Sequence, residues 1–126
     1  MRILIDTHIL IWHLEDDSQL SLARSEIISD TDNSIFISIA SLWEIAIKSS
    51  RGKLSLAKSI EDILAEINQS SSSILPIEPG HTIQVSKLPF HHRDPFDRMI
   101  IAQAMVENIQ LMSADNGFSV YGMDLL

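Results

Sequence analysis

The sequence predicts an α/β fold, a three-layer α/β/α sandwich with a central parallel sheet. Short runs of Ile, Leu and Phe recur along the chain and are separated by segments with helical spacing of apolar residues. These runs lack polar alternation, which is typical of parallel strands covered on both faces. At 126 residues the chain is long enough for one such core, so we predict a single domain over residues 1–126.

The first half of the chain contains two predicted strands. We expect strands at 3–5 and 35–37, and helices at 9–14, 18–29 and from about 39 to 51. Either Ser38 or Ser41 can cap the third helix, and Gly52 supplies its end. Asp6 then lies in the turn between the first strand and the first helix.

The second half repeats the pattern. Ser59 can cap a helix through Ile67, residues 70–73 form a turn, and a strand follows at 74–77. We expect a helix at 81–87, a loop at 88–93, a long helix opened by Asp94-Pro95 and ending near 108, a strand at 111–113 and a short strand near 123–125.

Composition excludes several classes of protein. The chain has no cysteine, and therefore no disulfide framework, thiolate metal site or thiol nucleophile. A charge follows only three apolar residues at the start, and no run approaches the roughly 20 apolar residues that span a bilayer. We expect a cytoplasmic protein with no membrane association. Because the net charge is −8, a polyanionic substrate would require cations or a local basic patch.

Four acidic residues interrupt apolar segments: Asp6, Glu44, Asp97 and Asp115. Burying an unpaired carboxylate against apolar surface costs on the order of several kcal/mol, unless the carboxylate is paired or binds a metal. Without cysteine or a helical His-x-x-x-His pair the donor set is oxygen-dominated, which favours Mg²⁺ or Mn²⁺. Such a site polarises a phosphodiester and generates hydroxide, so phosphodiester hydrolysis is the indicated reaction.

The predicted fold allows these acids to converge. Asp6 and Asp115 directly follow strands, and ligands bind beyond the carboxyl ends of strands in open parallel sheets. Glu44 lies in a helix that is apolar on most faces, and Asp97 shares a stripe with Ile100 and Ile101. A second stripe on the Asp97 helix should face water. It consists of Gln103, Glu107 and Gln110.

Each acid also has a purely structural interpretation. Asp6 and Asp94 suit helix caps, and Asp115 precedes the turn-forming pair Asn116-Gly117. Glu44 can pair with Lys48 four residues on. We interpret Trp12 and Trp43 as core residues, and the histidines as surface or loop residues.

Four segments resemble the PIN-domain ribonucleases, in particular the VapC toxins of bacterial toxin–antitoxin pairs. They are LIDT (4–7), SLWEI (41–45), RDPFDRMIIAQA (93–104) and MSAD (112–115). The resemblance covers nearly the whole chain in order. It implies that Asp6, Glu44 and Asp97 are metal-site acids with Asp115 as the fourth. It further implies metal-dependent RNA cleavage, inhibition by a cognate antitoxin whose tail covers the active site, and homodimerisation.

Other residues are candidates for supporting roles. The hydroxyls of Thr7 and Ser113 can orient acids or water, or bond only to backbone, and Asp94 can cap its helix or assist the site. Four of the nine basic residues lie within an eleven-residue span after Glu44, which is either a contact strip for RNA phosphates or a solvated helix end. They are Lys48, Arg51, Lys53 and Lys58.

Two alternative functions compete with the ribonuclease. An aspartyl-phosphate phosphatase of the haloacid dehalogenase type also places an Asp after its first strand, but that chemistry requires a second Asp where this chain has His8. A non-catalytic module could instead use the acidic face of the same fold to bind a basic protein partner, with or without metal.

Overall fold

The computed structural model describes residues 1–123 and 125–126, and its centre is a four-stranded sheet. The strands are β1 (Arg2–Ile5), β2 (Ser34–Ser38), β3 (Ser73–Leu75) and β4 (Gln110–Met112). Their order across the sheet is β3-β2-β1-β4, and every pairing is parallel. The predicted fold class is confirmed.

Helices cover both faces of this sheet. The described residues form α1 (Thr7–Leu14), α2 (Leu22–Ser29), α3 (Ile39–Ser50), α4 (Ile60–Gln69), α5 (Pro79–Lys87) and α6 (Pro95–Glu107), followed by a 3₁₀ helix at Asn116–Tyr121. Ser38 is the cap of α3, because its hydroxyl oxygen accepts a hydrogen bond from the Ala40 amide at 2.9 Å. Among these helices none combines the length and apolar character needed to cross a membrane.

Alternate residues of β1 point into two separate cores. Ile3 and Ile5 pack with residues of α1 to α4 on one face, whereas Leu4 packs with α6 and Phe118 on the other. Because a strand presents successive side chains to opposite faces, an uninterrupted Ile-Leu-Ile run fills both cores at once. This arrangement explains why the predicted strands showed no polar alternation.

Several predicted boundaries were wrong. α2 begins at Leu22 instead of 18, because the Ser21 hydroxyl caps it by accepting from the Arg24 amide at 3.2 Å. α5 begins at Pro79, β3 ends at Leu75, and the 3₁₀ helix was not predicted.

The short strand predicted near 123–125 is reduced to an isolated bridge. Leu125 forms this bridge with Leu111, parallel to β4. Asp124, in the middle of the predicted strand, lies outside the described residues.

The burial of three residues differs from the prediction: Gln103 and His81 were expected at the surface but are buried, and Trp43 was expected in the core but is exposed. Gln103, predicted to face water, is fully buried: its Oε1 accepts from the Ser38 hydroxyl at 2.5 Å and its Nε2 donates to the Pro76 carbonyl at 3.1 Å. His81 is buried in α5, where its Nδ1 accepts from the Glu78 amide at 2.9 Å. Trp43, predicted to be core, is 56% exposed.

Candidate active site

Asp6 lies at the carboxyl end of β1, and three hydrogen bonds fix its position. Its backbone amide donates to the Met112 carbonyl at 3.1 Å, which joins it to the end of β4. Oδ1 accepts from the Ile9 amide at 2.9 Å, and Oδ2 accepts from the Ser113 hydroxyl at 2.5 Å. The carboxylate therefore caps α1, as the structural interpretation predicted, and it also faces the end of the sheet. Burial raises the pKa of Asp6, and the bonds from Ser113 and Ile9 oppose that rise.

Glu44 is 3% exposed on α3, and only one of its oxygens has a partner. Lys48 Nζ donates to Oε2 at 2.5 Å, so the predicted pairing across one helical turn is present. Oε1 is buried without a hydrogen-bond partner among the described residues. A buried carboxylate oxygen left unpaired is costly, and a divalent cation would satisfy it. The donor chemistry at this position thus fits Mg²⁺ or Mn²⁺.

Asp97 occupies the first turn of α6, where Asp94 is the cap. Asp94 Oδ1 accepts from the amides of Phe96 at 2.8 Å and Asp97 at 3.2 Å, as its structural interpretation predicted. Burial first, and then the negative charges of Asp94, Glu44 and Asp6, together raise the pKa of Asp97 from its ordinary value of 3.8 to about 7. The carboxyl of Asp97 therefore lies close enough to these three acids to feel their charge.

Asp115 is the most exposed of the four acids, with 49% of its side chain accessible. Its Oδ1 accepts from the Gly117 amide at 2.8 Å, which is the predicted turn contact. Its Oδ2 lies 3.1 Å from Nε2 of His92, and Nδ1 of that histidine lies 3.0 Å from the Tyr121 hydroxyl. His92 was expected to be an ordinary loop residue, but it positions the fourth acid. Its signal in the sequence was only its place two residues before Asp94.

The acids line two neighbouring clefts. The first, of about 300 Å³, is lined by Asp6, His8, Trp12, Asp97, Ala114 and Asp115. The second, of about 310 Å³, is lined by Thr7, His8, Ile11, Trp12, Glu44, Ile45, Lys48, Lys53 and Leu54. His8 and Trp12 border both, with ring centroids 6.0 Å apart. Within the described residues, no three His, Asp or Glu side chains form a ready-made metal-binding group.

The remaining predicted residues divide between contact with the acids and other partners. Ser113 bonds to Asp6, whereas the Thr7 hydroxyl donates to Ser41 Oγ at 2.9 Å. Arg51 and Lys53 are exposed beyond α3. Lys58, by contrast, donates to the Leu14 carbonyl at 2.9 Å and to Glu66 at 2.7 Å.

The metal-free protein should lose stability through Asp97 as pH rises. Between 3.8 and about 7 the folded carboxyl keeps a proton that the unfolded chain releases, so this contribution is complete below 3.8 and disappears as pH passes through about 7. Because the group is partly exposed, solvent screening reduces the effect to on the order of 1 kcal/mol. Urea unfolding in EDTA at pH 5 and pH 8 measures it. Asp97→Asn should flatten the dependence, and equal slopes in variant and wild type would contradict the assignment.

The sheet, its two helical layers and its acid-lined clefts define an α/β protein with an oxygen-donor site at the carboxyl ends of the strands. Residues 3–122 match the family model described as PIN domain. The chain therefore belongs to the PIN domain family.

Solved structures share this fold at low sequence identity. A VapBC2 complex from Rickettsia felis, bound to a DNA fragment from its promoter, matches with a TM-score of 0.74 and 19% identity over 100% of this chain and 98% of the matched chain. DNA-bound VapBC from Salmonella typhimurium matches with a TM-score of 0.73 and 18% identity over 100% of this chain and 97% of the matched chain. A toxin–antitoxin complex from Klebsiella pneumoniae matches with a TM-score of 0.65 and 17% identity over 98% of this chain and 95% of the matched chain. No curated protein sequence matches the chain.

Proposed function

We propose that this protein is a metal-dependent endoribonuclease and the toxin of a VapBC-type toxin–antitoxin pair. Membership of the PIN domain family supports the nuclease class, and the structural neighbours from toxin–antitoxin complexes support the biological setting. The observation that carries the proposal is that Asp6, Asp97 and Asp115 line one cleft and Glu44 lines the neighbouring one, with one buried Glu44 oxygen that has no partner among the described residues. A bound cation would compensate these carboxylates.

In this proposal Asp6, Glu44, Asp97 and Asp115 would hold the divalent ion. Mg²⁺, or Mn²⁺ in its place, would supply polarisation of an RNA phosphodiester and a lower pKa for the attacking water. The protein supplies the rigid frame. The Ser113 hydroxyl and the Ile9 amide fix both oxygens of Asp6, and the α6 cap at Asp94 fixes the turn that carries Asp97.

Substrate binding requires local positive charge because the protein as a whole is acidic. Lys53 lines the cleft that contains Glu44, and the exposed Arg51 lies at the end of the same helix. We assign both to contacts with RNA phosphates. Such contacts contribute affinity and orientation without reading sequence.

The proposed protein partner is a cognate antitoxin, with the toxin itself a cytoplasmic homodimer. An apolar groove of about 280 Å³ opens beside the start of α6, and Trp43, Phe90 and Phe96 contribute to its lining. Phe90 is 84% exposed, and the Trp43 ring packs edge-on against Phe96 at 5.1 Å. Exposed aromatic side chains in a groove are typical of surfaces that protein partners bury, and we propose that the antitoxin covers this one.

The direct test is cleavage of end-labelled single-stranded RNA by antitoxin-free protein in EDTA, Mg²⁺ and Mn²⁺. We expect cutting in both metals and none in EDTA. Protein that is folded and binds metal but cuts no member of a diverse RNA pool contradicts the nuclease. Metal-independent binding of a basic partner by the same sample would then favour the non-catalytic module.

Gly117 offers a separate test of the fourth acid. A Cβ at this position would lie 2.9 Å from Asp115 Oδ1 and 3.3 Å from His92 Nε2, so Gly117→Ala should displace the Asp115 carboxylate. We expect Mn²⁺ affinity to fall about tenfold, while stability stays within about 0.5 kcal/mol because Asp115 is exposed. Titration and thermal unfolding measure the two quantities. Gly80→Ala, which has no atom within 4 Å of its Cβ, is the matched control, and unchanged affinity in Gly117→Ala would exclude Asp115 from the ion.

A further inference from the structure

The two clefts of the site differ in the basic side chains that line them. The cleft with Glu44 is also lined by two lysines, Lys48 and Lys53. The cleft with Asp6, Asp97 and Asp115 has no lysine or arginine among its described lining residues. We propose that the Lys48 ammonium acts as a built-in second cation beside Glu44, so that the site takes one divalent ion where the acids alone would accept two. This inference rests on the proposed function and assigns the number of ions.

The contact between Lys48 and Glu44 is the first support. Nζ lies 2.5 Å from Oε2, and Glu44 is 97% buried while the Lys48 side chain is 42% exposed. An exposed lysine pair contributes little, but here one partner is a buried carboxylate whose charge requires compensation. The ammonium therefore already occupies one oxygen of this buried carboxyl group in the metal-free protein.

The position of Lys48 in its cleft is the second support. Lys48 lines the cleft that contains Glu44, where a second divalent ion would otherwise be attracted to the buried carboxylate. Asp6, Asp97 and Asp115 line the neighbouring cleft, which has no lysine or arginine among its described lining residues.

A tethered ammonium differs from a second metal ion in two ways. It is always present, because four methylenes join it to the helix that carries Glu44. It also carries one charge instead of two, and it occupies only Oε2, so that Oε1 stays free for the single divalent ion.

Counting bound Mn²⁺ tests the inference without RNA. Free Mn²⁺ is followed by electron paramagnetic resonance during titration of wild type, Lys48→Met, Lys48→Arg and Lys53→Met, with circular dichroism confirming the fold of each. We expect one ion per chain in wild type, Lys48→Arg and Lys53→Met, and two in Lys48→Met. Lys53→Met is the matched control, because Lys53 lines the same cleft as Lys48. The double variant Glu44→Gln/Lys48→Met should return to one ion.

The outcomes separate this inference from the proposed function. Two ions per chain in wild type, or one ion in a folded Lys48→Met, overturns the role of Lys48 and leaves the metal-dependent nuclease intact. A wild type that binds no Mn²⁺ overturns both. If Lys48→Met does not fold, Lys48→Gln, which also lacks the ammonium but keeps a polar end, takes its place with the same expectation of two ions, and one ion in that folded variant overturns the inference.

Discussion

Asp97→Asn should reduce metal-dependent RNA cleavage by on the order of 10³-fold. Removing one preorganised charged group from an active site costs about 10²–10³ in rate, and the carboxyl of Asp97 lies close enough to Asp94, Glu44 and Asp6 to feel their charge. The amide keeps the shape of the side chain but loses the charge that attracts the ion. Initial rates on end-labelled RNA in Mg²⁺, with both proteins purified identically and free of antitoxin, measure the loss.

Asp32→Asn is the control for this substitution, because Asp32 is an exposed acid in the turn before β2, at the opposite end of the parallel strands from Asp6 and Asp115. It removes the same charge and should cleave like wild type. Full activity in Asp97→Asn would exclude the acid from the chemistry. Equal losses in the two variants would show instead that net charge, and not the site, determines the rate.

Arg98→Met should lower the free energy of unfolding by about 3–4 kcal/mol. Arg98 is 6% exposed, and its guanidinium donates to four carbonyls, those of Val85, Leu88, Pro89 and His92, at 2.9–3.4 Å. Hydrogen bonds from a charged donor are each worth about 1.5–3 kcal/mol, and the two longest of these four are weaker than that. The stack of the guanidinium on Phe90, 4.0 Å from the ring centroid, is lost as well.

Urea unfolding in EDTA measures this loss and keeps metal binding out of the comparison. The free energy of unfolding of Arg98→Lys should lie between those of wild type and Arg98→Met, because an ammonium cannot reproduce the planar fork of donors. Arg51→Met, which removes an exposed arginine, should stay within about 0.5 kcal/mol. A change of under about 1 kcal/mol in Arg98→Met would show that the four hydrogen bonds of its guanidinium do not stabilise the segment between α5 and α6.

Local patterns were sufficient for the sheet and most helices. Ile-Leu-Ile in β1 and Ile-Phe-Ile in β2 are unambiguous because both faces of those strands are covered, and the caps Ser59 and Asp94 mark helix starts directly. Where two serines lay close together, as at 38 and 41 or at 18 and 21, apolar spacing alone could not select the one whose hydroxyl bonds to the helix.

The helical spacing of apolar residues could not predict which polar residues are buried. Gln103 lies on the side of α6 expected to face water, yet its partners Ser38 and Pro76 come from segments far away in the chain. Trp43 lies on a helix that is apolar on nearly every side, so nothing local distinguished the exposed position. His8 and Trp12 follow Asp6 on α1 and border both clefts. Their place beside the acids could be seen only once the distant segments that carry those acids were brought together in the fold.

The hydrogen bond from Ser113 to Asp6 joins residues 107 positions apart. The site can therefore form only late in the synthesis of the chain. β1 leaves the ribosome early and can pair with β4 only after residues 110–112 have emerged as well. On the proposed function, a chain that stops before β4 has Asp6 but lacks the Ser113 hydroxyl that fixes it. Catalytic competence thus arises only once β4 has been made and has joined the sheet, so that a shorter nascent chain should cut no RNA.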